Sequence, residues 1–491
     1  MRRTSATTHT ITIVGDSPLD SESNIEVQRL IAKYGLAAHL ALLAVAPLVL
    51  YPFCDEGRIA TVLLWLSLLA SFWMVLEPSM RRGEGRSDSR RRVAREMMSD
   101  SLFWILLVLV VFSGFRALNT GIALSYDAEA SVWYVSEQPF PLLPGAVAGS
   151  GFLPFAATVT LLVLLQACRH SLGRSARYLF VLMSSALAGL AAVIDLVALC
   201  LGRFGGVTAL LPSEDGLGCS FVGFAFGLYM IGGMVALVTV FEQNWSKALW
   251  FVALAIGGTT AGVIAFAPFH LSAALLASAF LMLVYALVFS GKALRSFDLF
   301  RIVLISLVSL ALGGLLVMVV LPENAFAARL SLLPKFSFFP EGFLKVRETL
   351  SAIAFKSWIS HLWLGTGVSS FPLDFRMNAQ AADWELLPRG ATVLANCWWL
   401  LLAERGVIGL MLFILPFGCL LFTYVRRLIG GITSLELPHP ACIVAPVVFV
   451  LFVVVGFFDC SPARVEVLLA MGSLAAISAV SFPRTRRRKD G

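Results

Sequence analysis

Long apolar runs alternate with short polar stretches along most of the chain. Each run has about 20 residues, which is enough for a helix to cross a hydrocarbon core of about 30 Å. The pattern predicts about twelve transmembrane helices, and the least certain boundary is the one between the seventh and the eighth. The predicted spans are residues 34–53, 59–76, 101–118, 151–168, 178–201, 219–241, 248–268, 270–290, 302–321, 395–424, 441–458 and 465–482.

The spans divide the chain into five parts. These are an N-terminal tail (1–33), nine spans (34–321), a long polar loop (322–394), three further spans (395–482) and a basic C-terminal tail (483–491). A membrane protein rarely keeps so much polar chain on one side without using it, so the loop at 322–394 is where we expect the chemistry. A shorter loop at 119–150 carries several prolines and glycines.

The composition supports an integral membrane protein. Hydrophobic residues make up 58% of the chain and charged residues 14%, with a mean hydropathy of +0.86. A soluble domain carries about 25% charged residues. We therefore predict an all-α integral membrane protein with about twelve transmembrane helices and one large external loop that carries an amphipathic helix. The eight cysteines form no CxxC pair and no metal-ligand spacing, so we predict neither a metal nor a cofactor.

The positions of the charges give an orientation. The net charge is +7, and one alternate set of loops holds basic clusters such as 81–95 and 484–489. The short loops of the opposite set hold only Arg58, Arg203 and Arg464. Basic residues favour the cytoplasmic side, so both termini are predicted to be cytoplasmic and loop 322–394 external. In this setting the positive charge does not indicate a nucleic acid partner. The cations that the long loop itself carries suggest a use outside the cell.

The sequence from Arg347 to His361 reads as one helix. Apolar residues recur at spacings of three and four, which defines an amphipathic face suited to the membrane surface or to the helix bundle. They are Leu350, Ile353, Ala354, Trp358 and Ile359. The glycines Gly365 and Gly367 follow and allow a tight turn with close backbone approach. The next span begins near Asn396 and contains Glu404 and Arg405, and ionisable residues inside spans are usually paired or functional. Asp195, in the fifth span, is another.

These features together resemble the bacterial O-antigen ligase and O-antigen polymerase superfamily. Members are multi-span glycan ligases and polymerases with a large periplasmic loop that begins with an arginine, continues to a Gly-x-Gly and closes on a His-Asn entry into the next span. The matching residues are Arg347, the segment His361–Gly367, and Asn396, Leu400, Glu404, Gly406 and Gly409. The match covers about 345–415, and a weaker one extends to Arg203.

The resemblance implies a function at the periplasmic face of a bacterial inner membrane. The donor would be a glycan on a polyprenyl diphosphate, and the acceptor a lipid, a glycan or a protein. Arginine suits the diphosphate because it is always charged and binds phosphate in a bidentate manner. We expect Arg347 and His361 to be catalytic, as diphosphate contact and base. We expect substrate-binding roles for Arg203, Arg376, Arg389, Gly365, Gly367, Asn396 and Glu404.

One position departs from the family pattern. The loop-closing histidine, implicated in catalysis in the family, is Ala395 in this chain. Its role has then moved to His361 or to a carboxylate such as Asp374, Asp383 or Glu385, or the activity is lost. Two alternatives to an active enzyme therefore stay open: a degenerate member that binds lipid-linked glycan without turnover, and a transporter or flippase of lipid-linked glycan.

Overall fold

The computed structural model of the protein describes residues 18–82, 94–122, 124–127, 132–135, 145–147, 150–172, 174–201, 221–242, 248–267, 269–288, 296–320, 343–378, 396–433, 444–458 and 464–478. Long helices dominate these ranges. They are α1 Pro18–Leu50, α2 Glu56–Arg82, α3 Ser101–Leu118, α4 Phe152–Gln166, α5 Arg174–Cys200, α6 Phe221–Glu242, α7 Leu249–Phe266, α8 Phe269–Val288, α9 Ser296–Val320, α10 Phe343–Ser360, α11 Phe371–Asn378, α12 Cys397–Thr433, α13 Val444–Phe458 and α14 Val465–Ser478.

Each predicted span overlaps one of these helices. In the described part of the chain, eight helices are long and apolar enough to cross a membrane, and shorter apolar helices lie in α1, α8, α13 and α14. The protein is therefore an α-helical membrane protein, and the number of twelve spans stays a prediction. Helix α1 begins at Pro18, well inside the segment predicted as a tail.

The loop at 119–150 contains short strands that the helical prediction did not include. Strand β1 (Thr120–Ile122) pairs in parallel with β4 (Ala146–Val147), and β2 (Leu124–Asp127) pairs antiparallel with β3 (Val132–Val135). The β3 sequence Val-Trp-Tyr-Val consists of residues that favour strands. The sequence pattern of strands this short is weak compared with the hydrophobic pattern of the flanking spans.

Helix α6 forms the centre of the bundle. Every residue of its apolar window Phe221–Val238 is buried, whereas only 28% of the corresponding windows of α3 and α9 are buried. Helices α5, α7, α8 and α14 pack around it. The exposed residues of the outer helices are themselves large and apolar, for example Leu307 and Leu315 on α9. Such exposure is expected where lipid, and not water, surrounds the helices.

Helices α5 and α7 cross where Gly189 of α5 meets Gly258 of α7. A Cβ atom added at Gly258 of α7 would lie 2.3 Å from the carbonyl oxygen of Gly189 on α5. Helix interfaces inside membranes use small residues in this way, because close backbone approach gains van der Waals contact. The Gly257–Gly258 pair therefore has a packing role, and α7 continues as a helix through it to Phe266.

We expect Gly258→Ala to destabilise the bundle, because the new methyl group would meet backbone atoms that cannot rotate away. Overpacking of this kind costs about 1–3 kcal/mol. The control is Gly314→Ala on α9, where an added Cβ atom has nothing within 4 Å. Thermal unfolding of both variants in the same detergent is the measurement, and equal midpoints for the two variants would contradict the crossing.

Candidate functional site at the junction of the loop and helix α12

Helix α12 is interrupted at Gly406. This residue has φ of 66° and ψ of −174°, which is not helical, so two helical segments meet there, one on each side of it. The sequence predicted a span over 395–424, which overlaps this helix, and gave no sign of the break.

The interruption bends the chain sharply. In a straight helix, residues 398 and 413 would be about 22 Å apart along the axis. The ring of Phe452 on α13, however, lies 5.6 Å from the ring of Trp398 and 5.8 Å from the ring of Phe413. Both α12 segments therefore pack against the same place on α13, which requires the first segment to turn back across the end of the second.

The Gly365–Gly367 turn fills the gap in the hydrogen bonding of α12. A continuous helix would pair the amide of Val407 with the carbonyl of Ala403, and that of Ile408 with Glu404. Instead, the amides of Val407 and Ile408 donate to the carbonyls of Leu362 (3.0 Å) and Trp363 (3.2 Å). The carbonyls of Ala403 and Glu404 accept from the amides of Thr366 (2.8 Å) and Gly367 (2.9 Å). Four backbone groups released by the bend are thus satisfied by the loop.

Glycine is needed on both sides of this contact. Gly365 has φ of +69°, and an added Cβ atom would lie 2.4 Å from the carbonyl carbon of Glu404. At Gly406 the Cβ atom would lie 2.3 Å from the carbonyl oxygen of Trp363. Ser369 also has a positive φ of 59°, a conformation that costs a residue other than glycine about 1–3 kcal/mol. The turn is held in this shape by its contacts.

Arg116 ties helix α3 to the junction. Its side chain is 2% exposed, Nη1 donates to the carbonyl of Glu404 (2.9 Å) and Nη2 donates to the carbonyl of Leu364. The guanidinium also lies 4.6 Å from the centre of the Phe112 ring. Arginine can hold two carbonyls at once because its donors form a rigid fork.

The loop at 119–150 also joins the junction. The amide of Val368 donates to the carbonyl of Gly145 (2.9 Å), and the amide of Val147 donates to the carbonyl of Val368 (3.1 Å). The residue after the turn therefore pairs in parallel with Ala146 of strand β4. Three segments remote in sequence thus meet at one place: the end of α3 with its following loop, the glycine turn and the bend in α12.

Hydroxyl groups surround Asp374 beside the turn. Its Oδ2 atom accepts from the hydroxyls of Ser357 on α10 (2.8 Å) and Thr366 in the turn (2.6 Å). Burial raises the pKa of Asp374 above its usual value, and the hydrogen bonds from these hydroxyls lower it in part. Asp374 therefore links α10, α11 and the turn.

His361 is exposed directly before the turn. The hydroxyl of Ser360 donates its single proton to the carbonyl of Ser357 (2.7 Å) and lies 3.0 Å from Nδ1 of His361. With that proton on the carbonyl of Ser357, Nδ1 acts as the donor in its contact with Ser360. In this tautomer the free lone pair of a neutral ring is on Nε2, the arrangement that a general base requires.

Asn396 and Glu404 make local contacts. The side-chain oxygen of Asn396 accepts from the amides of Trp398 (3.0 Å) and Trp399 (3.3 Å), which caps the start of α12. The buried carboxylate of Glu404 accepts from the amide of Phe371 at the start of α11 (3.4 Å). Among the described residues Glu404 has no ion pair within 4.0 Å with Arg405, so it positions the loop. Substrate binding by either residue stays a prediction.

The predicted cations are described only in part. Arg347 lies in α10 and Arg376 in α11, but their side chains fall outside the described atoms, and Arg203, Arg389, Ala395, Asp383 and Glu385 lie outside the described residues. The helix places Arg347 about 21 Å from His361 along its axis.

Asp195 on α5 is 1% exposed, and neither carboxylate oxygen has a hydrogen-bond partner in the described part of the structure.

Sequence reasoning missed Arg116 and the hydroxyls of Ser357, Thr366 and Ser370. A signal for Arg116 was present, because it is an arginine in the last turn of an apolar span, where a charge needs a partner. The hydroxyls had no such signal, since serine and threonine are common in loops.

The comparisons with known proteins add nothing to the motif resemblance. No protein-family model matches the chain, and no curated protein does either. The class that the structure defines is a helical membrane protein with a polar junction at the end of its helices.

We expect Gly406→Ala to loosen the junction. The substitution forces a side chain into a left-handed conformation, which costs about 1–3 kcal/mol, and into contact with the carbonyl of Trp363. Hydrogen exchange of the Thr366 and Gly367 amides should accelerate. Gly418→Ala in the same helix meets nothing within 4 Å and serves as the control. Unchanged exchange in Gly406→Ala would show that the amides are protected by something else.

We expect Arg116→Lys to destabilise the protein although it keeps the charge. An ammonium group cannot hold both carbonyls in the geometry of the fork, and each lost hydrogen bond to a charged group is worth about 1.5–3 kcal/mol. The control is Arg58→Lys, in an exposed ion pair with Asp55, where no measurable change is expected. Thermal unfolding of the two variants is compared, and a wild-type midpoint for Arg116→Lys would refute the clamp.

Proposed function

We propose that the protein transfers or polymerises a glycan carried on a polyprenyl diphosphate, at the periplasmic face of a bacterial inner membrane. The observation that carries this proposal is the pairing of the Gly365–Gly367 turn with Glu404 and Gly406. These are the elements on which the resemblance to the O-antigen ligase and polymerase superfamily rests. In the folded chain they form one junction, although 38 residues separate Gly367 from Arg405.

His361 would act as the base towards the acceptor hydroxyl. A hydrogen bond from Nδ1 to Ser360 would leave Nε2 of the neutral ring with a free lone pair on an exposed face. A positioned base contributes roughly 10²–10⁴-fold to rate. This assignment gives the chain a base although Ala395 stands at the family's histidine position.

Arg347 would bind the diphosphate leaving group. Base and leaving group act on opposite sides of the same sugar carbon. Arg347 and His361 lie about 21 Å apart along the axis of α10, so their side chains would extend towards each other along the helix to reach that carbon. An arginine aimed at the developing negative charge stabilises the transition state without a metal.

The test is transfer by the purified full chain in lipid, supplied with polyprenyl-diphosphate-linked oligosaccharide and a panel of lipid, glycan and protein acceptors. We expect His361→Gln to lower the rate roughly 10²–10⁴-fold while donor binding is retained, because the base does not hold the diphosphate. We expect Arg347→Gln to weaken donor binding as well. Glu348→Gln, an exposed neighbour on α10, controls for nonspecific effects on the helix.

Three outcomes would count against the proposal. If His361→Gln transfers glycan at the wild-type rate, His361 is not the base. Donor binding without transfer to any acceptor would favour a degenerate member, with Ala395 as its cause. Movement of the donor across the bilayer without transfer would favour a flippase.

A further inference from the structure

The straight segment of α12 after the bend has the length of one membrane crossing. The segment from Val407, directly after the bend, to the exposed Arg426 contains 20 residues and is therefore about 30 Å long. This equals the thickness of a hydrocarbon core. The full helix of 37 residues would be about 55 Å long, far more than a membrane requires.

Helix α3 gives the same boundary independently. It has 18 residues and ends at Leu118, and Arg116 in its last turn donates to the carbonyl of Glu404. The bend in α12 and the end of α3 therefore lie at one level. The arginine at that level is buried among backbone carbonyls, and the next residues of the chain form strands.

An apolar surface continues from the span onto the loop. On α12, Ile408, Met411 and Leu415 are 40–59% exposed at helical spacing, which is the pattern of a lipid-facing row. The backbone of Trp363 lies beside the start of this row, because its carbonyl accepts from the amide of Ile408. The Trp363 side chain is 64% exposed. Leu362 and Ile359 are exposed next to it in the chain.

From this continuity we propose that Trp363, with Leu362 and Ile359, inserts into the bilayer leaflet on the loop side. The glycine turn then lies at the level of the lipid headgroups. Tryptophan favours this depth because its ring is apolar and its N–H is polar. The exposed Lys356 on α10 can extend its ammonium to lipid phosphates from the same helix. The proposal concerns lipid contact and does not depend on the proposed reaction.

A physical reason favours lipid over a second protein as the partner of this patch. The patch adjoins a row that must face lipid if α12 crosses the membrane, because the Trp363 carbonyl pairs with the first residue of that row, Ile408. A protein partner would have to cover this row inside the bilayer as well as outside it. Coverage of the patch by a second protein is therefore one of the outcomes that the test distinguishes.

The test is fluorine NMR of the full chain labelled with 5-fluorotryptophan, in nanodiscs of phosphatidylethanolamine and phosphatidylglycerol. Trp363→Phe assigns the resonance of Trp363, and Trp363→Tyr provides a second assignment if that variant folds poorly. Two relaxation agents are added in turn: a lipid with a nitroxide near the top of the acyl chain, and a water-soluble gadolinium chelate. Trp104, which is 49% exposed on α3, is the lipid-facing reference. Trp398, packed on Phe452, is the shielded reference.

We expect the nitroxide lipid to cause a loss of Trp363 signal at least as large as the loss for Trp104, and larger than the loss for Trp398. A Trp363 signal lost to the gadolinium chelate but not to the nitroxide lipid would place the residue in water and overturn the proposal. A signal affected by neither agent would mean that protein covers the patch, which also overturns it.

Discussion

The structure of the site depends on one exchange of backbone hydrogen bonds. Where α12 bends at Gly406, two amides and two carbonyls lose their partners within the helix, and the glycine turn supplies all four. Unpaired backbone groups at the end of a span cost several kcal/mol each, because lipid offers no substitute for water. The bend and the turn are therefore a single unit, and neither is stable in this form without the other.

The other contacts of the junction follow from this exchange. Glu404 lies at the bend, so its carboxylate is directed at the start of α11, while its carbonyl is open to Arg116. Val368 follows the turn, so its backbone can pair with strand β4. Asp374 then closes the arrangement from α11 by accepting the hydroxyls of Ser357 and Thr366. The loop is thereby fixed to the bundle by backbone atoms, which do not change with the side chains around them.

The sequence predicted the long helices well and the junction only in part. Hydrophobic runs locate helices because a span has few alternatives in lipid, and the amphipathic pattern after Arg347 located α10. The pairing of the turn with Gly406 is a contact between segments far apart in the chain, which periodicity cannot show. Arg116 was missed because an arginine near the end of a span resembles an ordinary interfacial residue. The contact of His361 with Ser360 depends on how α10 ends, which the sequence pattern does not show.

Helix α10 is fixed in place by its packing, and this limits how the proposed reaction can use the residues along it. Its inner face packs on Ala403, Phe371 and Phe375 through Leu350, Ile353 and Ala354, so it cannot slide along the junction. Its carboxyl end leads directly to His361 and the turn. A rigid helix thus fixes the backbone of Arg347 about 21 Å from His361 along its axis. In the proposed transfer the acceptor oxygen attacks the same sugar carbon that the diphosphate leaves, so the groups that deprotonate the acceptor and bind the diphosphate must converge on that carbon. The helix therefore allows His361 and Arg347 to act in one step only if their side chains extend towards each other along it.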